Sequence, residues 1–556
     1  MEKTGGKNMR RYLRIHPDDN AAIALADLLP GEAIDLPGAE CQIHSAVPAK
    51  HKFALRSLEP GDSVVLYGVL VGKAVSQIRE GELISRANVR HEASPFRSRM
   101  QEYVWQAPPA ARWQAKQFHG FVRSDGQVGT RNHWLVIPLV FCENRNVAVL
   151  KQAFEEELGF APPPKYRREV AELVRRFQEG KVDQVRDNVG EEDSKAIDRP
   201  RIFPNVDGIK FLLHEGGCGG TREDANSLCG LLAGYIHHPN VAGATILSLG
   251  CQNAQVAILR REIEKRDPAF AKPLLIFDQQ QSGTESAMLS AAIRETFLGL
   301  VEANKATRTP VPLGHLTIGL KCGGSDGFSG ISANPAVGHV ADLMTALGAK
   351  TVLAEFPELC GVEQWLIDRC MRKQDEGRFM QLMRAYAARA KAVGSALEMN
   401  PSPGNIRDGL ITDAMKSAGA AKKGGTSPIA AVLDYPEYAT LAGLNLLCTP
   451  GNDVEAVTAQ VGAGANVVLF TTGLGTPTGN PISPIVKISS NSELAHRMPD
   501  IIDIDAGPII RGEKSIEEMG EAILDLVVRV ASGELRTKAE LLAQNDFIPW
   551  KRGISL

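Results

Sequence analysis

The apolar run LTIGL (316–320) leads straight into KCGGSDGFSG (321–330). A thiol, a hydroxyl and a carboxylate, those of Cys322, Ser325 and Asp326, therefore stand on a glycine loop at the end of a strand-like segment. A thiolate or carboxylate in such a place can ligate a metal or move a proton. The same spacing fits a tight strand-to-helix turn in which Ser325 or Asp326 caps the next helix. No Gly-Lys-Ser/Thr follows, so the loop is not a P-loop. Further on, NPSPGN (400–405) must be a stiff turn ending in Asn405, followed by Asp413, Lys416, Lys422 and Lys423. Cations beside a rigid turn suit an acidic substrate, although a solvated charged face has the same pattern. Cys142, Cys218 and Cys251 stand, like Cys322, at strand ends or in glycine loops, and His214 precedes Cys218 by four residues. No CxxC pair exists, so no zinc ribbon is indicated. Each such thiol is a candidate ligand or simply a small buried residue. Near the start, His16 opens HPDDN (16–20), and His51-Lys52 lies in KHKFALRSL (50–58). A histidine there can hold a metal or exchange protons near neutral pH, and many single histidines do neither.

Three regions must position these groups. Residues 1–95 predict a small β-rich module, because short apolar runs such as SVVLYGVLVGKAV (63–75) sit between turn signals such as Pro60-Gly61. Residues 96–117 lack a period, contain Pro108-Pro109 and read as a linker. From 118 to 310, strand-like runs WLVIPLVF (134–141), ATILSLG (244–250) and PLLIFDQ (273–279) alternate with helix-like stretches at 146–160 and 222–238. Continuous apolar strands between helices predict a parallel α/β sheet. Residues 161–205 are charged and read as a surface insertion. From 311 to 556 a second α/β unit is predicted, with strands at 316–320, 350–356, 444–449 and 465–472 and a long helical segment from Val362 to about Leu397. Its glycine motifs follow its strands directly, and ligands of open α/β sheets bind outside the carboxyl ends of strands.

The totals narrow the function classes. With 62 basic against 65 acidic residues in 556, a net charge of -3 and 6% aromatics, nothing points to nucleic acid or an anionic membrane surface. No run reaches the ~18 apolar residues of a membrane span. The first fourteen residues are polar and basic, which predicts a cytoplasmic chain with reduced thiols.

Many long motifs, in order, carry a resemblance. HPDDNAAIALADL (16–28) and HKFALRSLEPGDSVVLYGVLVG (51–72) resemble the SAF-type domain of the altronate and galactarate dehydratase family. FHGFVRSDGQVGTRN (118–132), GGCGG (216–220) and LSLGCQN (247–253) resemble its second domain. CGGSDGFSGISANPAVG (322–338), NPSPGN, TPGNDVEA (449–456), FTTGLGTPTGNP (470–481) and DIDAG (503–507) resemble its C-terminal domain. LNLLCTPGNDVEA (444–456) and FIPWKRGISL (547–556) have the altronate-type character. The chain departs from the family at Leu474, where arginine is frequent, and at Ile406-Arg407-Asp408, where a lysine and two glycines often stand.

The resemblance implies a fold of a SAF-type β domain followed by two α/β domains with mainly parallel sheets. It implies loss of water from a 2,3-dihydroxy sugar acid, D-altronate first. Galactarate, another aldonate or aldarate, or a sulfolactate-type elimination are the alternatives. It implies iron(II), or manganese(II), with no nucleotide cofactor, a small-molecule sugar acid as the partner, and leaves a homo-oligomer open. On this basis the expected roles are His51, Lys52 and Asp326 in catalysis. Arg131, Asn132, Ser325, Asn405 and Lys416 are expected to hold the substrate. His16, His51, Cys142 and Cys322 are expected to hold the metal. A protein that only binds metal through its strand-end thiols is the reading of a different class, and the lack of CxxC counts against it.

Overall fold

The computed structural model describes residues 10–36, 39–99, 102–161, 165–186 and 200–555. The opening basic residues and positions 187–199 of the expected insertion lie outside the described residues. Residues 10–95 form a β module. Its four-stranded antiparallel sheet runs in the order Tyr12–Leu13, Ala21–Ala24, Lys52–Ala54, Leu83–Ile84. The run expected at 63–75 folds as a hairpin, Ser63–Leu66 with Val69–Ala74, turned by Tyr67-Gly68. The expected linker packs on the body of the protein. Arg99 donates to the Cys370 carbonyl at 2.9 Å and Tyr103 to the Thr426 carbonyl at 2.6 Å.

The second unit is a four-stranded sheet built from β1 (His133–Pro138), β2 (Gly208–Phe211), β3 (Val241–Ser248) and β4 (Leu274–Asp278), with α1 (Arg222–His237) leading into β3. The order is β2-β1-β3-β4 and every pairing is parallel. All six residues of β1 are buried, which is why it reads as an unbroken apolar run. The helix expected at 146–160 spans Asn144–Leu158. Within the expected insertion, helix Lys165–Gln178 buries no residue, whereas Phe203 packs into the core against Trp134 and Val136. Strand Gln117–Val122 enters this unit and pairs antiparallel with Thr309–Pro312, which leaves it.

The C-terminal unit holds a seven-stranded, all-parallel sheet. Its elements are β5 (Thr317–Cys322), α2 (Ala333–Ala346), β6 (Lys350–Leu353), α3 (Asp413–Ala420), β7 (Ile429–Leu433), β8 (Gly443–Leu447), α4 (Asp453–Gly462), β9 (Val467–Thr472), β10 (Ile485–Ser489), β11 (Ile504–Asp505) and α5 (Ile516–Ala531). The order is β7-β8-β6-β5-β9-β10-β11, so β5 and its glycine loop lie at the middle of the sheet. The long helical segment from Val362 breaks into Glu363–Arg369 and Lys373–Ala392. No helix among the described residues is long and apolar enough to cross a membrane.

The β module sits directly on this sheet end. A Cβ on Gly327 would lie 2.1 Å from the Lys50 carbonyl oxygen, and one on Gly409 would lie 2.3 Å from it. Only glycine permits so close a backbone approach. The Thr412 hydroxyl caps α3 and also donates to the Val71 carbonyl at 2.7 Å, joining the module's hairpin to the C-terminal unit.

Candidate active site

β5 is buried at every position, yet it carries a lysine. The Lys321 ammonium donates to the Cys322 carbonyl at 2.6 Å and ion-pairs with Glu355 and, at 2.8 Å, with Asp453 at the start of α4. Glu355 follows β6 in the left-handed conformation, φ 71°, which a residue with a side chain adopts only where its surroundings hold it there. Its amide donates to the Thr449 hydroxyl at 2.9 Å. The turn places Glu358 beside it. The Cys322 thiol donates to Glu358 at 3.1 Å and receives the Lys423 ammonium at 2.6 Å. Lys423 also reaches Glu355 at 3.4 Å, and Lys416 of α3 pairs with Glu358 at 2.8 Å and donates to the Asn400 carbonyl oxygen of its amide at 3.0 Å. Three ammoniums, three carboxylates and a thiol thus interlock, all buried except for the Asp453 side chain.

Burial and the neighbours drive these groups apart. Burial and the Glu358 charge push the Glu355 carboxyl up, whereas Glu358, surrounded by Lys416, Lys423 and Lys321, is held at about 2 despite its burial. The Cys322 thiol is pushed up to about 12 by burial and by Glu358. Two neighbouring carboxyls with opposed proton affinities are the usual arrangement of an acid beside a permanent anion.

The Cys322 sulfur and one oxygen each of Glu355 and Glu358 lie within 4.8 Å of one another, a spacing that a divalent ion could use. The charge does not suit one. Each donor already holds an ammonium, so a divalent ion would enter a dry pocket beside three positive charges. The arrangement fits proton transfer and carboxylate binding, not a metal centre. The other such group, Asp125, His237 and Asp267, lies away from this loop, next to Arg266 and Lys272.

The expected site residues fall in several places. Ser325 lies on the loop, and Asn405 donates to its carbonyl at 2.8 Å while its amide oxygen closes the capping box of Pro403–Arg407. Asp326 is fully buried and receives the amides of Phe328 and Ser329, both hydroxyls of Ser329 and Ser490, the Asn491 amide, and the Lys50 ammonium at 3.2 Å. Lys52 is buried, donates to the carbonyls of Lys50 and Gly409 at 3.1 and 2.6 Å, and is pushed down to about 7 by burial. His51 beside it is half-buried, with its ring nitrogen 3.3 Å from the Ala49 carbonyl oxygen, and burial lowers its proton affinity. His16 is exposed, next to Asp18. No three of His16, His51, Cys142 and Cys322 bring ligand atoms within 4.8 Å of one another, so the expected ligand set is not assembled. Arg131 and Asn132 also stay apart from the cluster. Arg131 forks onto Glu540 at 2.7 and 3.0 Å, and Asn132 bonds the carbonyls of Asn205 and Ala303. Sequence reasoning passed over Lys321, Glu355, Glu358 and Asp453. The available signal was the charge at the end of otherwise apolar strands, LTIGLK and KTVLAE.

Comparison with known proteins agrees along the whole chain. Residues 10–92 match the family model "Altronate/galactarate dehydratase SAF domain". Residues 120–304 match "D-galactarate dehydratase/Altronate hydrolase, second domain", and 313–555 match "D-galactarate/Altronate dehydratase, C-terminal". Altronate dehydratase of Bacillus subtilis (strain 168) is 32% identical over 99% of this chain and 100% of its own length. Altronate dehydratase of Escherichia coli (strain K12) is 32% identical over 98% of this chain and 100% of its own. Galactarate dehydratase (L-threo-forming) of the same E. coli strain is 29% identical over 95% and 94%. With a matching small β domain, two matching α/β domains and near-complete coverage, the chain belongs to the altronate/galactarate dehydratase family and is a hydro-lyase of that type.

Proposed function

We propose that the chain removes water from a sugar acid with hydroxyls at C2 and C3, and that D-altronate, giving 2-dehydro-3-deoxy-D-gluconate, is its main substrate. The observation that carries this reading is the buried cluster at the β5 loop, with its opposed pair Glu355 and Glu358 among three ammoniums. An acid of this kind brings a carboxylate to be held and a poorly acidic C2 proton to be removed. Lys416, with Ser325 and Asn405 shaping the adjoining loop, holds the carboxylate and the enediolate that forms. Lys52 is the base. Its amine is neutral above about 7, whereas Asp326 is saturated with donors. Glu355, pushed toward its protonated form, gives its proton to the 3-hydroxyl as it leaves as water. The enol then tautomerises to the 2-keto acid, and no redox cofactor enters the balance. The resemblance to altronate dehydratases adds an iron(II) requirement, with manganese(II) as its substitute, and a cytoplasmic setting.

The test is a panel of aldonates and aldarates, incubated with the iron-supplemented protein and assayed for 2-keto acid. D-altronate is expected to give the highest kcat/KM, ahead of galactarate. Turnover of none of them would overturn the dehydratase reading, and a preference for galactarate would overturn the substrate.

A further inference from the structure

All nine cysteines are free thiols, and only three of them are exposed: Cys142, Cys218 and Cys251. They share one place in the fold. Cys142 follows β1, Cys218 lies in the GGCGG loop after β2, and Cys251 follows β3. Those strands are neighbours, in the order β2-β1-β3, and all parallel, so the three thiols crown the carboxyl ends of three adjacent strands. Neighbouring strands lie about 5 Å apart, which sets the scale of the crown at ~5–10 Å.

The loops are tied to one another. The Phe141 amide donates to the Gly216 carbonyl at 3.0 Å, and the Ala254 amide to the Gly217 carbonyl at 2.9 Å. His214 is held neutral by burial, at about 4. It bonds the Pro138 carbonyl through one ring nitrogen at 2.7 Å and receives the Gly216 amide on the other at 3.1 Å. Gly217, φ 99°, lies so close over β1 that a Cβ would be 2.4 Å from the Leu139 carbonyl oxygen. This is a built structure around thiols that make no hydrogen bond among the described contacts. Two buried side-chain oxygens next to it, Oδ1 of Asn144 and Oδ1 of Asp278, have no partner. The site also opens on a cavity of about 620 Å³, bordered by Cys218, Asn144, Asn253, Glu455 and Trp550. Glu455 lies in the first turn of α4, so the cavity reaches from Cys218 to the start of that helix.

We propose that Cys142, Cys218 and Cys251 bind a four-iron, four-sulfur cluster. Thiolates select zinc, copper(I) or iron–sulfur centres over hard cations. A single tetrahedral ion with metal–sulfur bonds of about 2.3 Å would draw its thiolates within ~4 Å of one another. The three sulfurs do not all lie within 4.8 Å of one another, wider than a single tetrahedral ion would hold them, and the adjacency of the three strands keeps them on the scale of a larger, multi-metal body. Each thiol gives up its proton on ligation. Three protein ligands would leave one iron corner without a thiolate, open to an oxygen ligand. That the oxygen is a hydroxyl or carboxylate of the sugar acid rests on the dehydratase reading; the cluster itself does not.

The full chain is reconstituted without oxygen, using ferrous iron, sulfide and a thiol reductant, and desalted. About four iron and four acid-labile sulfide per chain are expected, with broad visible absorption that dithionite bleaches. Cys142→Ser, Cys218→Ser and Cys251→Ser are each expected to lose most of this absorption and sulfide. Cys448→Ser, a buried thiol elsewhere, keeps both. A second measurement needs no variant: in the loaded protein the three thiols resist maleimide labelling, mapped by peptide mass, and in the stripped protein they react. Iron bound without sulfide, zinc in its place, or three serine variants that all keep the cluster would overturn the proposal. None of these measurements uses a sugar acid. A cluster with no dehydration sinks the function and spares the site, and dehydration by cluster-free protein does the reverse.

Discussion

The two parallel sheets end in similar loops and opposite chemistry. At the end of β5 the glycine loop covers ammoniums, carboxylates and a thiol that are buried and paired with one another. At the ends of β1, β2 and β3 three loops, two of them glycine-bearing, hold three thiols that are exposed and unpaired among the described contacts. A saturated buried cluster owes its state to its own members, so removing one member disturbs all the others. An exposed set of donors owes little to its members, so removing one changes what it binds and leaves the fold alone.

The largest expected effect follows from that contrast. Lys321→Met keeps the stem of the side chain but deletes the charge that faces Glu355 and Asp453. Breaking a buried pair by removing one partner costs about 3–5 kcal/mol, and urea denaturation should show a loss of that size. Cys218→Ser in the other sheet should leave the urea midpoint where it was. Equal, small effects at both places would mean that the β5 cluster is wet and loosely paired, and the contrast would fail.

Lys52→Met comes next and separates a base from a pin. In the native chain kcat/KM should rise as pH climbs through about 7, because the buried ammonium gives up its proton there and only the amine can accept one. Below that pH the proton stays on and turnover falls. The variant should lose at least ~10²-fold in kcat, together with that pH limb. If Lys52 only ties the β module to Gly409, the variant will melt earlier yet keep the limb.

Gly327→Ala tests whether the module must seat closely on the loop. The new methyl would meet the Lys50 carbonyl oxygen, which is backbone and cannot swing aside. Overpacking of this kind costs ~1–3 kcal/mol. Easier proteolytic release of residues 10–95 is expected, with a fall in kcat larger than any rise in KM. Unchanged kinetics would detach the module from the chemistry.

The sheets themselves were legible in the sequence because their strands are buried on both faces and read as unbroken apolar runs. β2, β7 and β10 escaped that reading. GIKF is short and follows a charged stretch, and IAAVL and IVKIS break their apolar runs with small or polar residues. The loop of Cys322 to Asp326 was legible from its glycines and its place after a strand. Its partners were not, because Glu355, Glu358, Lys423 and Asp453 lie 33 to 131 residues further along and only the sheet order brings them together. The three thiols shared a visible context, a strand end or a glycine loop, but their adjacency depends on the order β2-β1-β3, which no local pattern states.

Arg131 carries the smallest expected effect, and it bears on how the two sheets are joined. The motif VGTRN suggested a substrate cation. In the structure Arg131 is 3% exposed, and its guanidinium forks onto Glu540 and donates to the carbonyls of Thr130 and Val530. It therefore ties the start of the second unit to α5 and to the segment beyond it. Lysine keeps the charge but has three donors on one nitrogen in place of a planar fork, so at least one of these four bonds is lost. A buried acceptor left without its donor costs about 1–3 kcal/mol, which a chain of this size shows as a drop of only a few degrees in Tm. KM for the sugar acid should not move, because four of the five Arg131 N–H groups already bond acceptors within the fold. A KM raised tenfold or more in Arg131→Lys, with Tm unchanged, would put the guanidinium in the substrate's path. It would also move the working site from the β5 loop toward the seam between the two sheets.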